Sequence, residues 1–426
     1  MIKYSLQLLL LLFTVNVSAQ TFTRIGNAED VTTNHEQGFL LMGGGGDNFD
    51  GLEWFYNLAD EGDVVIIRYD AGTGYNDDYD NYPMNSITTI ESINTTEKAN
   101  NPEVEAAIMN AEAVFIPGGN QWNYYNTWKG TMLHDALLHL INEKNGSIGG
   151  TSAGLAVLGE FLFTAENNTV YSSEALANPY NFRMTIADDF LNIPILESII
   201  TDSHFNRLEN NETENRHGRL FTFLARINKD WDRNPALGIG VNEYTAVGVE
   251  STGNAYVFGD PNYDDYAYFL ATQDCEPETC ETNVPLTWSC NQQAVKVAIV
   301  KGKKSDPDYF DLTSWDDCSE CDWEYWYADE GELYKTDETT ATPINSIDQK
   351  SLYPNPASRL VTFSAGNRQI KSFAVYSATG QNVFKRSGIT NENVFSIDVS
   401  NLSPGVYIIK ASTKTGNETM RFVVSR

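Results

Sequence analysis

Residues Gly150 to Gly154 read Gly-Thr-Ser-Ala-Gly, a match to G-x-S-x-G, and they follow the short apolar segment at Ser147 and Ile148. In that motif a nucleophilic serine stands on a tight strand-to-helix turn, and the flanking glycines tolerate a strained backbone and let a substrate come close. The competing reading is a glycine turn whose serine caps a helix. The strand before and the Leu155-Ala-Val-Leu158 run after favour the nucleophile. That run is expected to form the first turns of a buried helix.

The chain around this turn alternates strands and helices. Gly38–Met42 reads as an apolar strand that runs into four glycines, Gly43 to Gly46. Helical spacing over Phe49 to Leu58 and a buried strand over Asp63 to Tyr69 complete a βαβ unit of a parallel sheet. The glycine run lacks the lysine of a P-loop and the spacing of a dinucleotide fingerprint, so no nucleotide site is expected. Tyr75 to Tyr82 (Y-N-D-D-Y-D-N-Y) reads as a solvated acidic loop without calcium-loop spacing. A strand over Ile87–Ile93, a helix from Asn101 with Pro102 in its first turn, a strand over Ala113–Ile116 and an amphipathic helix over 130–143 follow. The first 250 residues therefore read as an α/β domain.

In open α/β sheets ligands sit at the carboxyl ends of the strands. Glycine pairs stand at two such ends, Gly118-Gly119 and Gly149-Gly150. If the two strands are neighbours, the N–H groups of Gly119 and Ala153 can converge as an oxyanion hole. A serine nucleophile also needs a base, and the chain has five histidines. His35 precedes the first strand, His134 and His139 lie on a helix, and His217 sits in a charged segment. His204, at the end of the apolar Ile199–Phe205 stretch, remains as the base. Beyond it, Arg207, Arg216 and Arg219 suggest a fork for a substrate carboxylate, with pairing to Glu209, Glu212 and Glu214 as the competing explanation. Leu237–Val247 reads as one further strand, in which Glu243 is either a buried anchor or part of the site.

The ends of the chain have other characters. Residues 1–19 have the positive, apolar and small-residue zones of a secretory signal peptide, too short to span a bilayer. The charge of −30 repels nucleic acid and anionic membrane, and it is uneven. From Pro343 on, five Lys and five Arg face four acidic residues, so the rest carries −36. All five cysteines fall between Cys275 and Cys321, which in an exported chain reads as one or two local disulfides with a cysteine left over. A zinc site is the weaker alternative, since that region has no histidine. Residues 20–327 are expected to form the main domain, with 260–327 as a Cys/Trp-rich extension, 328–350 a linker and 351–426 a small antiparallel β-sandwich.

Five spaced stretches, F-I-P-G-G-N-Q (115–121), G-G-T-S-A-G (149–154), T-D-S-H-F (201–205), R-H-G-R-L (216–220) and G-I-G-V-N-E-Y-T-A-V (238–247), resemble those of cyanophycinase-like serine peptidases, a group that includes the aspartyl dipeptidases. The tail, with Y-P-N-P at 353–356 and Leu402-Ser-Pro-Gly-Val-Tyr407, resembles the C-terminal sorting domain of the type IX secretion system. The first resemblance implies a flavodoxin-like α/β three-layer sandwich of the class I glutamine amidotransferase kind. It implies a Ser-His-acid triad with Ser152 as nucleophile and His204 as base, and an acid between them: Glu166, or alternatively Glu174. It further implies substrate contacts from Gln121, Asp202, Ser203, Arg207, Arg216 and Arg219, no cofactor or metal, and a peptide or cyanophycin-like polymer as substrate. Two departures fall at the specificity site: Ser203 stands where a glutamine is usual, and Leu208 to His217 lengthens the arginine segment. The tail implies the type IX machinery as a partner and an extracellular or cell-surface location. An α/β-hydrolase esterase and a catalytically silent surface protein that binds through Trp288, Trp315, Trp323 and Trp326 are the alternatives from other classes.

Overall fold

Apolar runs that alternate with glycine turns become strands buried on both faces. The computed structural model describes residues 20–425 except Glu212, residues 338–350 and, in the tail, 354–356, 358–359, 365–369, 378–379, 388–393 and 414–416. The expected signal peptide, the 338–350 part of the expected linker and most of Y-P-N-P lie outside the described residues. In chain order the elements begin β1 (Thr21–Gly26), β2 (Gly38–Met42), α1 (Phe49–Asn57), β3 (Asp63–Ile67), β4 (Ser86–Glu91), α2 (Thr96–Ala99), α3 (Pro102–Asn110) and β5 (Ala113–Ile116). Next come α4 (Gln121–Trp128), α5 (Met132–His139), β6 (Ser147–Thr151), β7 (Leu162–Phe163), α6 (Ser172–Ala177), β8 (Ile186–Ala187), β9 (Ile199–Asp202) and α7 (His217–Trp231). The unit closes with β10 (Leu237–Val241), β11 (Ala246–Glu250), β12 (Asn254–Phe258), β13 (Tyr266–Thr272), β14 (Val295–Lys301), β15 (Tyr309–Asp311), β16 (Asp322–Asp329) and β17 (Glu332–Asp337).

The first sheet has the order β1-β4-β3-β5-β6-β2-β11-β12-β15. Its centre, β4-β3-β5-β6-β2, is parallel, and its flanks are antiparallel. Every residue of β2, β3, β5 and β6 is buried, the pattern of strands covered on both faces by helices. Each buried Leu, Ile or Val there contributes about 1.5–3 kcal/mol of transfer free energy, which sets the register of the strand ends that carry the site. The α/β class and the parallel sheet match the sequence expectation.

A second sheet, β17-β16-β14-β13-β10-β9, was not foreseen. Only β9 and β10 are parallel in it, and the rest is antiparallel. The supposed Cys/Trp-rich extension is thus part of the fold's body: Trp288 and Trp326 are fully buried, so they offer no contact surface. Cys275 pairs with Cys290 and Cys318 with Cys321, and Cys280 stays free and buried.

Of four local expectations, three need correction. The helix after Ser152 is a single 3-10 turn, Leu155–Val157, because the chain turns at once into β7. The helix expected over 130–143 is present: Thr131 caps α5 by accepting from the His134 N–H, and a π-helical turn, Leu140–Lys144, continues it. Tyr75, Asn76 and Asp78 are buried rather than solvated, with the Tyr56 hydroxyl donating to Asp78. Residues 328–337 are the end of a β-hairpin, not linker, since β17 turns back at Glu330-Gly331 and pairs along β16.

The remaining residues form a separate unit. It comprises β18 (Ser351–Tyr353), β19 (Leu360–Ser364), β20 (Ile370–Ser377), β21 (Asn382–Ser387), β22 (Val394–Asp398), β23 (Gly405–Thr413) and β24 (Asn417–Val424). Two antiparallel sheets, β18-β19-β22 and β21-β20-β23-β24, enclose Val361, Phe363, Val375, Ile409 and Phe422, as expected of a small sandwich.

Candidate active site

The two sheets meet at their strand ends, and the reactive residues come from both. β6 delivers Ser152, β9 delivers His204, and the turn between β10 and β11 delivers Glu243. Ser152 has φ +54° and His204 φ +47°, left-handed backbone that costs non-glycine residues about 1–3 kcal/mol and gathers at functional sites. The Ser152 N–H donates to the Met42 carbonyl and the His204 N–H to the Gly43 carbonyl, so the last residue of β2 and the glycine after it fix both.

The Ser152 hydroxyl lies 2.7 Å from His204 Nε2, and His204 Nδ1 lies 2.6 Å from Glu243 Oε1. This is the geometry in which a carboxylate holds an imidazole with its free nitrogen toward a serine. Burial pushes the His204 pKa below its ordinary value, and Arg216 and Arg207 push the same way against the opposing Glu243. That direction favours the neutral imidazole, the form a base must have.

The carboxylate at His204 is neither Glu166 nor Glu174. Glu174 pairs with Arg183 at 2.6 Å and closes the capping box of α6, and Glu166 lies in the turn after β7. Glu243 reaches the imidazole because the run Leu237–Val247 is not one strand. It breaks after Val241, β10 staying in the second sheet and β11 joining the first, and the intervening turn brings Glu243 to the strand ends.

The glycine run set aside as a nucleotide cradle is the surface on which this site packs. A Cβ on Gly44 would lie 2.6 Å from His204 Cε1 and 3.1 Å from Ser152 Cβ; one on Gly45 would lie 2.8 Å from Glu243 Cβ; one on Gly46 would lie 2.7 Å from the Tyr244 ring. Gly44 and Gly45 also have φ of +89° and +80°.

The strands that end in glycine pairs are neighbours, β5 pairing with β6. A Cβ on Gly118 would lie 3.9 Å from Ser152 Oγ, so that loop borders the hydroxyl. Among the described residues neither the Gly119 nor the Ala153 N–H has a backbone acceptor. Gln121 opens α4, its amide donating to the Phe163 carbonyl at 3.3 Å.

Two of the three arginines are spoken for. Arg219 grips Asp202 through Nε (2.8 Å) and Nη2 (2.5 Å), both side chains almost fully buried. Arg216 donates to Glu209 at 2.5 Å and to the Ser203 carbonyl at 2.9 Å. Two cations and two carboxylates thus close on one another, and this corrects the expectation that Asp202, Arg216 and Arg219 are free for substrate: Asp202 of β9 and Glu209 of the lengthened segment occupy the guanidiniums. Arg207 is exposed, and its charge reaches His204.

The Ser-His-Glu contact on an α/β framework has the geometry of a serine hydrolase. Residues 75–251, which include all three side chains, match the model of peptidase family S51. Residues 351–425 match the secretion system C-terminal sorting domain, which directs the chain through type IX secretion to an extracellular or cell-surface location. Cyanophycinase of Synechococcus elongatus is 27% identical over 180 residues, covering 40% of this chain and 49% of that protein. Cyanophycinase of Nostoc sp. is 25% identical over 170 residues, covering 40% and 50%. The chain spans about half the length of the curated relatives it matches. A peptidase crystal structure from an acI-B1 Actinobacterium aligns with TM-score 0.37 and 18% identity, covering 55% of this chain and 90% of that one. Among the described residues no helix is long and apolar enough to cross a membrane.

Proposed function

We propose that the chain is a secreted serine peptidase that hydrolyses peptide or isopeptide bonds next to aspartate, including the β-aspartyl-arginine units of a cyanophycin-like polymer. The observation that carries this reading is the unbroken contact from Ser152 through His204 to Glu243, at 2.7 and 2.6 Å. The Ser152 hydroxyl attacks the carbonyl carbon while His204 Nε2 takes its proton, and Glu243 stabilises the imidazolium. The Gly119 and Ala153 N–H groups bind the developing oxyanion, and such a donor is worth about 10²–10³ in kcat. His204 then protonates the leaving amine, and water releases the acyl group by the reverse sequence.

The substrate class is supported by the likeness to proteins named cyanophycinase and by a charge of −30, which attracts chains bearing arginine. With Arg216 and Arg219 paired internally, Arg207 is the cation we assign to a substrate carboxylate, and Gln121 keeps the substrate contact that the family resemblance implies. Incubating the mature protein with cyanophycin and with β-Asp-Arg dipeptides, beside Ser152→Ala, tests both parts. Turnover that survives in Ser152→Ala contradicts the mechanism, and no turnover by the parent contradicts the substrate.

A further inference from the structure

The turn that presents Glu243 is not self-supporting. Its Thr245 N–H reaches the Asn242 carbonyl only at 3.3 Å, and its third residue, Tyr244, has φ +64°, where a turn of this kind normally places glycine. A tyrosine there persists only if the surroundings over-determine it. Two contacts fix Tyr244: its N–H donates to the Gly44 carbonyl at 2.8 Å, and its carbonyl accepts from Asn48 Nδ2 at 2.9 Å. The Glu243 carbonyl accepts only a long bond, from the Thr245 hydroxyl at 3.4 Å within the turn, so its N–H carries the anchor to the rest of the fold. Its N–H donates to Asn206 Oδ1 at 2.9 Å.

Asn206 lies two residues after His204, so this bond ties the segment carrying the base to the residue carrying the acid. The Asn206 amide is in turn oriented by Asp264, whose Oδ2 accepts from Asn206 Nδ2 at 2.9 Å, so the oxygen faces Glu243. Asp264 is anchored to the same turn, its carbonyl accepting from Asn242 Nδ2 at 2.8 Å. The ring His204–Asn206–Asp264–Asn242–Glu243 is closed by the imidazole–carboxylate contact at 2.6 Å.

We infer that Asn206 is a positioning residue: it sets the distance between Glu243 and His204 without touching substrate, and Asp264 sets the orientation of Asn206. This rests on the reading of Glu243 as the carboxylate partner of a catalytic His204. An error of about 1 Å in such a pair costs on the order of 10²-fold in rate.

The test is a set of variants of the mature protein, with kcat expressed per site titrated by a fluorophosphonate. Asn206→Ala lowers kcat by about 10- to 100-fold and leaves KM within about twofold. Asn206→Asp is similarly impaired, because its new carboxylate faces that of Asp264. The pair Asn206→Asp with Asp264→Asn restores the bond with donor and acceptor exchanged, and kcat returns to within about threefold of the parent. A merely structural role predicts no such rescue. Unchanged kcat in Asn206→Ala, or a double variant no better than Asn206→Asp, overturns the inference while the Ser152 mechanism stands. Activity that survives in Ser152→Ala fails the mechanism instead.

Discussion

Gly44 stands so close to His204 that a methyl group on it would lie 2.6 Å from the imidazole Cε1. The glycine is therefore required by the site as well as by its own backbone. Gly44→Ala is expected to displace the imidazole and to lower kcat by about 100-fold or more. Its positive φ adds a stability cost on the order of 1 kcal/mol, too small to unfold a domain. Circular dichroism alongside turnover separates the effects, and a folded, fully active Gly44→Ala protein would contradict this packing.

The carboxylates make a paired prediction. Glu243→Gln removes the negative charge beside His204 Nδ1 and allows an N–H to face it, and is expected to cost about 10²- to 10⁴-fold in kcat with little change in KM. Glu166→Gln and Glu174→Gln, away from the imidazole, are expected to stay within about threefold of the parent. Steady-state kinetics on the same peptide decides between them.

Burial holds the His204 pKa below its ordinary value of 6.5. The base works only when neutral, so kcat/KM is expected to be flat near neutrality and to fall as pH drops through that lowered pKa. The acid limb of the pH profile should therefore have its midpoint below 6.5. A midpoint above that value would mean that Glu243 outweighs burial.

The arginines should separate by phenotype. Arg219→Ala leaves Asp202 buried without its partner, and the loss of a buried ion-pair partner costs about 3–5 kcal/mol. Arg207→Ala, at an exposed position, is expected to change stability by less than about 0.5 kcal/mol and to raise KM for substrates that carry a carboxylate. Chemical denaturation and KM measured on both variants check the division.

Much of this was legible in the sequence. The alternation of apolar runs and glycine turns gave the parallel sheet, the G-T-S-A-G stretch gave Ser152, and a count of histidines left His204. Glu243 was marked as an anchor or part of the site but not named as the partner of His204, because Leu237–Val247 is apolar on both sides of it and reads as one strand. Its break depends on two sheets pulling β10 and β11 apart, a tertiary effect with only a faint local signal in Asn242-Glu243-Tyr244. The glycines at 43–46 were visible, but their purpose was not, since what they make room for lies more than a hundred residues away. The fate of Arg216 and Arg219 turned on Asp202 and Glu209, and spacing alone could not say whether a carboxylate would come from substrate or from the chain.

The most direct measurement is covalent labelling of the mature protein by a fluorophosphonate, read by intact mass and peptide mapping. The account predicts one adduct per chain, located on Ser152, with labelling slowed strongly in His204→Ala and Glu243→Gln and unchanged in Glu166→Gln. An unlabelled protein, or an adduct on another serine, would contradict it.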